Sequence, residues 1–183
     1  MLLALDTATH YASVALHDGE RLLAEQTWLA NHDHTRTLLP HVQALLADAH
    51  AGMDSLSALA VALGPGLFNG LRVGLSTAKG LAIALKLPLT GASTLELLAA
   101  EYDLAEVAMN ASRGRVYRWS TGGDIELIDG AAPNRVRHAG TLAELGWQRL
   151  REGHTLDVTK VEPIYVQPPH ITESRKKAHM QAA

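Results

Sequence analysis

The first hundred residues alternate between short apolar runs and longer segments with a helical spacing of apolar positions. Residues 2–7, "LLALDT", predict a short buried strand. Residues 12–28 predict two more strands, because Asp18-Gly19 between them is typical of a hairpin turn. The chain therefore opens with three strands that can pair in antiparallel fashion.

A helical pattern follows these strands. From Leu38 onward, apolar residues recur at the spacing of one helix face, which predicts a helix over residues 35–51. Pro40 lies inside it and predicts a late start or a kink. Residues 56–63 then predict a buried strand, and residues 71–86 predict a second helix after a glycine-rich turn.

The second half of the chain repeats this order more weakly. Residues 93–102 predict a third helix, with Ser93 and Glu96 spaced as a capping box. Three short runs predict strands and a longer one predicts a helix: residues 106–112, 115–120 and 124–130, followed by 141–152. Residues 167–183 are polar and predict a mobile tail. Strands followed by helices, twice, predict an α/β protein of two related lobes.

Composition and charge narrow the class of protein. The chain has 183 residues, a formal net charge of −3 and no cysteine. This charge gives no overall attraction to nucleic acid, and the lack of cysteine excludes disulfides, thiolate metal sites and a cysteine nucleophile. Asp6 interrupts the first apolar run too early for a signal peptide or a membrane span. We therefore expect a cytoplasmic protein without membrane contact.

The segment "GPGLFNGLRVG" at residues 64–74 is the densest glycine cluster. It is not a P-loop, because Leu71 and Arg72 follow Gly70 where lysine and a hydroxyl residue are required. It is not a dinucleotide fingerprint either, because Asn69 stands where the third glycine belongs.

Two interpretations of this segment stay open. Gly70, Gly74 and Ala78 are four residues apart and predict a stripe of small residues that lets another helix approach closely. Alternatively, the turn binds a phosphate through its backbone at the start of the helix. Gly64, Gly66 and Arg72 would then lie near a nucleotide.

Other candidate chemistry is sparse. Asp6 follows the first strand, where it either lies near phosphates or caps the following turn, and we expect Asp6→Ala to leave the fold largely intact. His32 and His34 flank Asp33 but lack a third metal ligand nearby, so helix capping or solvation is favoured. No serine lies in a Gly-x-Ser-x-Gly segment. The sequence assigns no catalytic residue and no metal ligand.

Four segments in order resemble the bacterial TsaB family, which is also described as glycoprotease-like. They are "LALDTAT" (3–9), "HTRTLLP" (34–40), "GPGLFNGLRVGLSTAKGLA" (64–82) and "GASTLELLA" (91–99). The resemblance implies an α/β, actin/Hsp70-like (ASKHA) fold of two ribonuclease-H-like lobes. Residues 1–103 would form the first lobe, 104–166 a shortened second lobe and 167–183 the tail.

The resemblance also implies a function. Proteins of this family act with the catalytic paralogue TsaD and the ATPase TsaE to make threonylcarbamoyladenosine at position 37 of tRNAs that read codons beginning with A. The paralogue binds its metal through two histidines four residues apart, and Thr94 and Leu98 stand at the matching positions here. A non-catalytic subunit is thus implied, with tRNA contacted only through the complex. The alternative is an independent actin-like, ATP-using enzyme or an M22-type metallopeptidase.

We also expect a docking surface on the two predicted helices, used by a homodimer when the protein is alone and by the TsaD-like partner in the complex. Its expected residues are Leu38, Val42, Leu45, Gly70, Val73, Gly74, Ala78 and Leu81. No cofactor is expected on this chain alone, with ATP or ADP at a subunit contact. The chain departs from the family at "NASRGRVY" (110–117), where Asn110, Ser112 and Arg115 replace Asp, Arg and Glu.

Overall fold

The computed structural model of the protein describes residues 1–166, so the tail expected over residues 167–183 lies outside the described residues. Its strands are β1 (Leu2–Asp6), β2 (Tyr11–His17), β3 (Leu22–Leu29), β4 (Ala58–Ala62), β5 (Leu89–Ala92), β6 (Glu106–Asn110), β7 (Arg115–Ser120) and β8 (Glu126–Asp129). Its α-helices are α1 (His34–Asp48), α2 (Phe68–Leu85), α3 (Thr94–Tyr102) and α4 (Ala139–Arg151). The predicted order of strands and helices is confirmed.

The first five strands form one mixed sheet in the order β3-β2-β1-β4-β5. The pairs β1–β2 and β2–β3 are antiparallel, as expected for strands joined by tight turns. The pairs β1–β4 and β4–β5 are parallel, because a helix connects β4 to β5 and α1 precedes β4. The carboxyl ends of β1, β4 and β5 therefore meet at one edge of the sheet.

The two faces of this sheet are covered by different helices. Leu3 and Leu5 of β1 pack in one cluster with residues of α1 and α2. Leu2 and Ala4 face the opposite side and pack against α4. Alanines dominate this second face, and a Cβ added at Gly146 of α4 would lie 2.9 Å from the Cβ of Ala60. Helix α4 follows the second sheet in the chain but packs closely on the first.

Strands β6, β7 and β8 form a separate antiparallel sheet in that order. Helix α3 covers one face of it, where Leu95 and Leu98 pack in a cluster with Val107. The segment after α4 returns to the first sheet. There the backbone N–H of Leu156 donates to the carbonyl of Leu89 at 2.8 Å, so the edge of β5 is partly covered.

Helices α1 and α2 contact each other, as expected, but the closest contacts of Gly70 and Gly74 in α2 are not with α1, of which only His34 Nε2 comes near, 3.5 Å from a Cβ built on Gly70. Both glycines face the turn after β1. A Cβ at Gly70 would collide with the carbonyl oxygen of Thr7, and a Cβ at Gly74 would collide with Thr7 Oγ1. The Thr7 hydroxyl also donates to the carbonyl of Gly70 at 2.8 Å. Gly70 and Gly74 therefore let the turn after β1 approach α2 closely, whereas Ala78 packs in the cluster with Leu38 and Val42 of α1.

We predict that Gly70→Ala destabilises the protein by about 1–3 kcal/mol, because the new methyl group would overlap backbone that cannot rotate away. Gly80 of the same helix is the matched control, since a Cβ there meets nothing within 4 Å. Gly80→Ala should raise the free energy of unfolding by about 0.5–1 kcal/mol. Urea denaturation of both variants measures the difference. Equal changes would contradict the proposed close approach.

Candidate functional site

The edge where β1, β4 and β5 end is the natural place for a site, because open α/β sheets bind ligands at the carboxyl ends of parallel strands. Three segments meet there: Asp6-Thr7 after β1, Gly64–Gly66 before α2, and Ser93-Thr94 before α3. Their contacts decide what this edge can bind.

The carboxylate of Asp6 is buried, with 2% of the residue exposed, and it is fully engaged. Arg137 donates to it from Nε at 3.0 Å and from Nη2 at 3.2 Å, and the backbone N–H of Ala8 donates at 2.9 Å. Arg137 is itself only 5% exposed. Asp6 therefore caps the following turn, which is the second of the two roles expected for it, and it also forms a buried ion pair that was not predicted.

Arg137 is the residue of this edge that the sequence did not reveal. It lies 131 residues after Asp6, in a segment without helical or strand periodicity. Its Nη1 also contacts the sulfur of Met109 in β6 at 3.5 Å. The side chain thus joins the first sheet, the second sheet and the start of α4.

The glycine turn is packed against its neighbours. Gly64 has a φ of +105°, and a Cβ there would lie 2.9 Å from the carbonyl oxygen of Ile164. Thr94 holds the turn from the other side, donating its hydroxyl to the Pro65 carbonyl at 2.5 Å and its N–H to the Gly64 carbonyl at 2.8 Å. A Cβ on Gly66 would collide with the carbonyl oxygen of Ala8. These contacts explain the glycines without a phosphate.

The positions that match the paralogue's metal ligands are both buried. The hydroxyl of Thr94 is used by the Pro65 carbonyl, and Leu98 packs in the cluster with Val107. His34 places its Nε2 2.7 Å from the carbonyl of Thr9, so it does not form a joint site with His32. Within residues 1–166, no group of three or more histidine, aspartate or glutamate side chains is arranged to hold a metal ion.

Arg72 lies on the exposed side of α2, beside an aromatic pair. Its guanidinium lies 5.2 Å from the centre of the Phe68 ring, and Phe68 lies 5.4 Å from the ring of Tyr165. Burial raises the pKa of the Tyr165 hydroxyl above its ordinary value, although the charge of Arg72 acts in the opposite direction. Arg72 therefore stacks on Phe68.

The expected docking residues divide into two groups. Six are buried within the first lobe and cannot contact a partner without unfolding: Leu38, Val42, Leu45, Gly70, Gly74 and Ala78. They face the sheet or the turn after β1, so this part of the expected surface is corrected. Val73 and Leu81 are partly buried. Their role in docking stays a prediction.

The outward side of the same two helices carries other residues. Leu39 of α1 is 45% exposed and Ile83 of α2 is 62% exposed. Most of the other exposed residues toward the middle and end of each helix are small or uncharged: Pro40, Gln43, Ala44 and Ala47 on α1, with Ser76, Gly80 and Ala84 on α2. Asp48 at the end of α1 is also exposed and carries a charge. Two large apolar side chains, with few charges on the same helices, therefore do reach the surface at positions that the helical periodicity did not single out.

Comparison with known proteins identifies the family. A family model described as "TsaD: tRNA N6-adenosine threonylcarbamoyltransferase" matches residues 28–173. The chain belongs to this family. Curated relatives that it matches carry the name tRNA threonylcarbamoyladenosine biosynthesis protein TsaB, so the predicted resemblance is confirmed.

The TsaB protein of Escherichia coli is 41% identical over 98 residues, which cover 54% of this chain and 42% of the relative. That of Bacillus subtilis is 36% identical over 120 residues, which cover 63% of this chain and 52% of the relative. The chain thus spans about half the length of the curated relatives it matches.

A solved structure supports the fold. The crystal structure of a Pseudomonas aeruginosa protein with similarity to peptidase YEAZ superposes with a TM-score of 0.80 at 26% identity. The match covers 91% of this chain and 99% of that one. The predicted α/β fold of the actin and ribonuclease-H type is confirmed. Among the described residues, no helix is both long and apolar enough to cross a membrane.

The Asp6–Arg137 pair corrects our expectation that Asp6→Ala is harmless. We predict that Asp6→Ala lowers the free energy of unfolding by about 3–5 kcal/mol, because it leaves a buried guanidinium without its counter-charge. The double variant Asp6→Ala/Arg137→Met should lose less stability than Asp6→Ala alone, since it removes the unpaired charge. Denaturant titration of the three proteins checks this. A stable single variant would show that the pair is dispensable.

Proposed function

We propose that this chain is a non-catalytic TsaB-like subunit that supports a TsaD-type enzyme in the N6-threonylcarbamoylation of adenosine 37 in tRNAs reading codons that begin with A. The observation that carries the proposal is the state of Thr94 and Leu98. One is hydrogen-bonded to a backbone carbonyl and the other is packed in a core, so neither position offers a ligand to metal. The names of the curated relatives support the same role.

The proposal extends to the other members of the complex. A TsaE-like ATPase would act with this chain and its TsaD-like partner in the cytoplasm, and tRNA would be contacted through the complex. ATP or ADP would lie at a subunit contact. The contacts of Asp6 support a nucleotide site away from this residue. Both carboxylate oxygens of Asp6 already accept hydrogen bonds from Arg137 or Ala8.

The docking surface of the proposal is the outward side of α1 and α2. Exposed apolar stripes on neighbouring helices are rare on monomers and are covered well by a second pair of helices. Leu39 and Ile83 provide the large side chains, and Gly80 and Ala84 allow close approach. The same surface would serve the homodimer and the TsaD-like partner, so the two should compete.

Reconstitution tests the function. The purified TsaD-like and TsaE-like proteins of the same organism should modify tRNA in the presence of this chain and lose most of that activity without it, measured as modified nucleoside per tRNA. The chain alone should hydrolyse no ATP and modify no tRNA. Steady ATP hydrolysis by the chain alone, or full modification without it, would overturn the proposal in favour of an independent enzyme.

Charge placed on the proposed docking surface tests its location. Leu39→Asp and Ile83→Asp should each weaken self-association and binding of the TsaD-like partner at least about tenfold, because a carboxylate would be buried in the contact. Leu29→Asp is the matched control, since Leu29 is 55% exposed. Its neighbour Trp28 contacts Thr37 and His41 of α1, so the alternation along β3 turns Leu29 to the opposite face of the sheet. Light scattering gives the oligomer mass, and titration calorimetry gives the partner affinity. Equal effects of all three substitutions would exclude this surface.

A further inference from the structure

The two sheets of the protein differ in how the first strand of each is paired. In the first sheet, β1 begins a run of three antiparallel strands and pairs on its other side with the parallel strand β4. In the second sheet, β6 also begins a run of three antiparallel strands, but β6 pairs only with β7 within the described part of the chain. The edge of β6 that corresponds to the β4 side of β1 is open along Glu106–Ala108. At Asn110 the side chain binds the backbone of Ala132, donating to its carbonyl at 2.7 Å and accepting from its N–H at 2.8 Å.

The backbone groups on this open edge follow from the register of β6 and β7. The N–H of Thr121 donates to the carbonyl of Ala105 at 3.0 Å, and the N–H of Ala111 donates to the carbonyl of Arg115 at 2.8 Å. The odd-numbered residues of β6 therefore direct their backbone groups to β7, because the direction alternates along a strand. Glu106 and Ala108 direct theirs to the open edge, ready to pair with another strand.

A pocket of about 240 Å³ lies beside this edge. Its apolar lining comes from Leu98 and Leu104 near α3 and from Val107, and its far wall comes from Pro133 and Arg135. We call the space between Glu106–Ala108 and residues 133–135 the β6 groove. Sites for complete small-molecule ligands are usually about 300–1,000 Å³. The pocket is thus sized for one or two apolar side chains, not for a cofactor.

The groove also carries a cation, Arg135, and a carboxylate residue, Glu106, lines the same pocket but accepts a hydrogen bond from Ser120 Oγ at 3.3 Å. The Arg135 guanidinium lies 4.5 Å from the centre of the Tyr102 ring, and it forms no ion pair with residues 1–166. A stacked arginine keeps its N–H groups available for a planar acceptor such as a carboxylate. The groove therefore combines strand donors and acceptors, an apolar pocket and a cation.

We propose that the β6 groove binds an extended peptide segment of a partner protein, which adds to β6 as a parallel strand. Main-chain hydrogen bonds to Glu106 and Ala108 provide affinity, one apolar side chain enters the pocket, and a carboxylate of the peptide meets Arg135. The parallel direction follows from the first sheet, where β4 is parallel to β1. This inference does not depend on the proposed role in tRNA modification.

A labelled peptide tests the groove directly. The probe is a fluorescein-labelled octapeptide of alternating threonine and valine with one aspartate, and its control is the same peptide with two prolines in place of valines. We expect saturable binding of the first peptide by fluorescence anisotropy and at least about tenfold weaker binding of the second, because proline removes the main-chain donors. Neither measurement requires tRNA or another subunit, so failure here leaves the proposed function untouched.

Ala108→Pro is the decisive variant. The N–H of Ala108, which proline lacks, points to the open edge. The substitution therefore leaves all hydrogen bonds between β6 and β7 in place. Peptide affinity should fall about tenfold, while Arg135→Ala should reduce it about fivefold and Arg36→Ala on α1 should have no effect. Hydrogen exchange gives a second measure without mutation. The amide of Ala108 should become protected when the peptide binds, whereas that of Val107 is protected already.

The outcomes separate clearly. Protection of the Ala108 amide together with weaker binding by Arg135→Ala supports the groove even if Ala108→Pro fails to fold. Absence of saturable binding to the wild-type protein overturns the proposal, as does equal binding of the two peptides. Binding that survives in Arg135→Ala without protection of Ala108 places the peptide elsewhere and also overturns it.

Discussion

The buried ion pair between Asp6 and Arg137 is the interaction on which the arrangement of the lobes depends. Burying two charges costs several kcal/mol per ion, so such a pair persists only when its geometry is good and the remaining hydrogen bonds are satisfied. Both conditions hold here, with two guanidinium nitrogens and one backbone N–H on a single carboxylate. The pair holds the end of the central strand against the residues that lead into α4.

The start of α4 depends on the same region. The first N–H groups of a helix lack partners within the helix, and His138 at the N-cap provides no side-chain hydrogen bond for them. Ser13 of β2 accepts from the N–H of Ala139 at 3.0 Å, and Glu25 of β3 accepts from that of Gly140 at 2.6 Å. Side chains of two strands that lie more than a hundred residues earlier in the chain thus cap this helix. Cap and ion pair together fix α4 on the sheet.

The sequence predicted the elements well because their causes are local. Periodicity located the strands and helices, and the capping box of Ser93 and Glu96 is formed at 3.0 and 2.7 Å. The partner of Asp6 and the position of α4 could not be predicted, since they depend on contacts across most of the chain. The burial of six expected docking residues has a related cause. An apolar helical stripe such as Leu38 and Val42 marks the side that faces the sheet, while the outward side has no periodicity of its own.

The alanine face beneath α4 has a consequence for synthesis of the chain. This face is complete once β5 ends at Ala92, but α4 ends only at Arg151. Roughly 60 residues must be added between these points, which takes about 3–12 s at about 5–20 residues per second. During that interval one side of the nascent sheet has no cover. Methyl groups expose far less apolar area than leucines would, so the waiting lobe is less prone to aggregate on the ribosome.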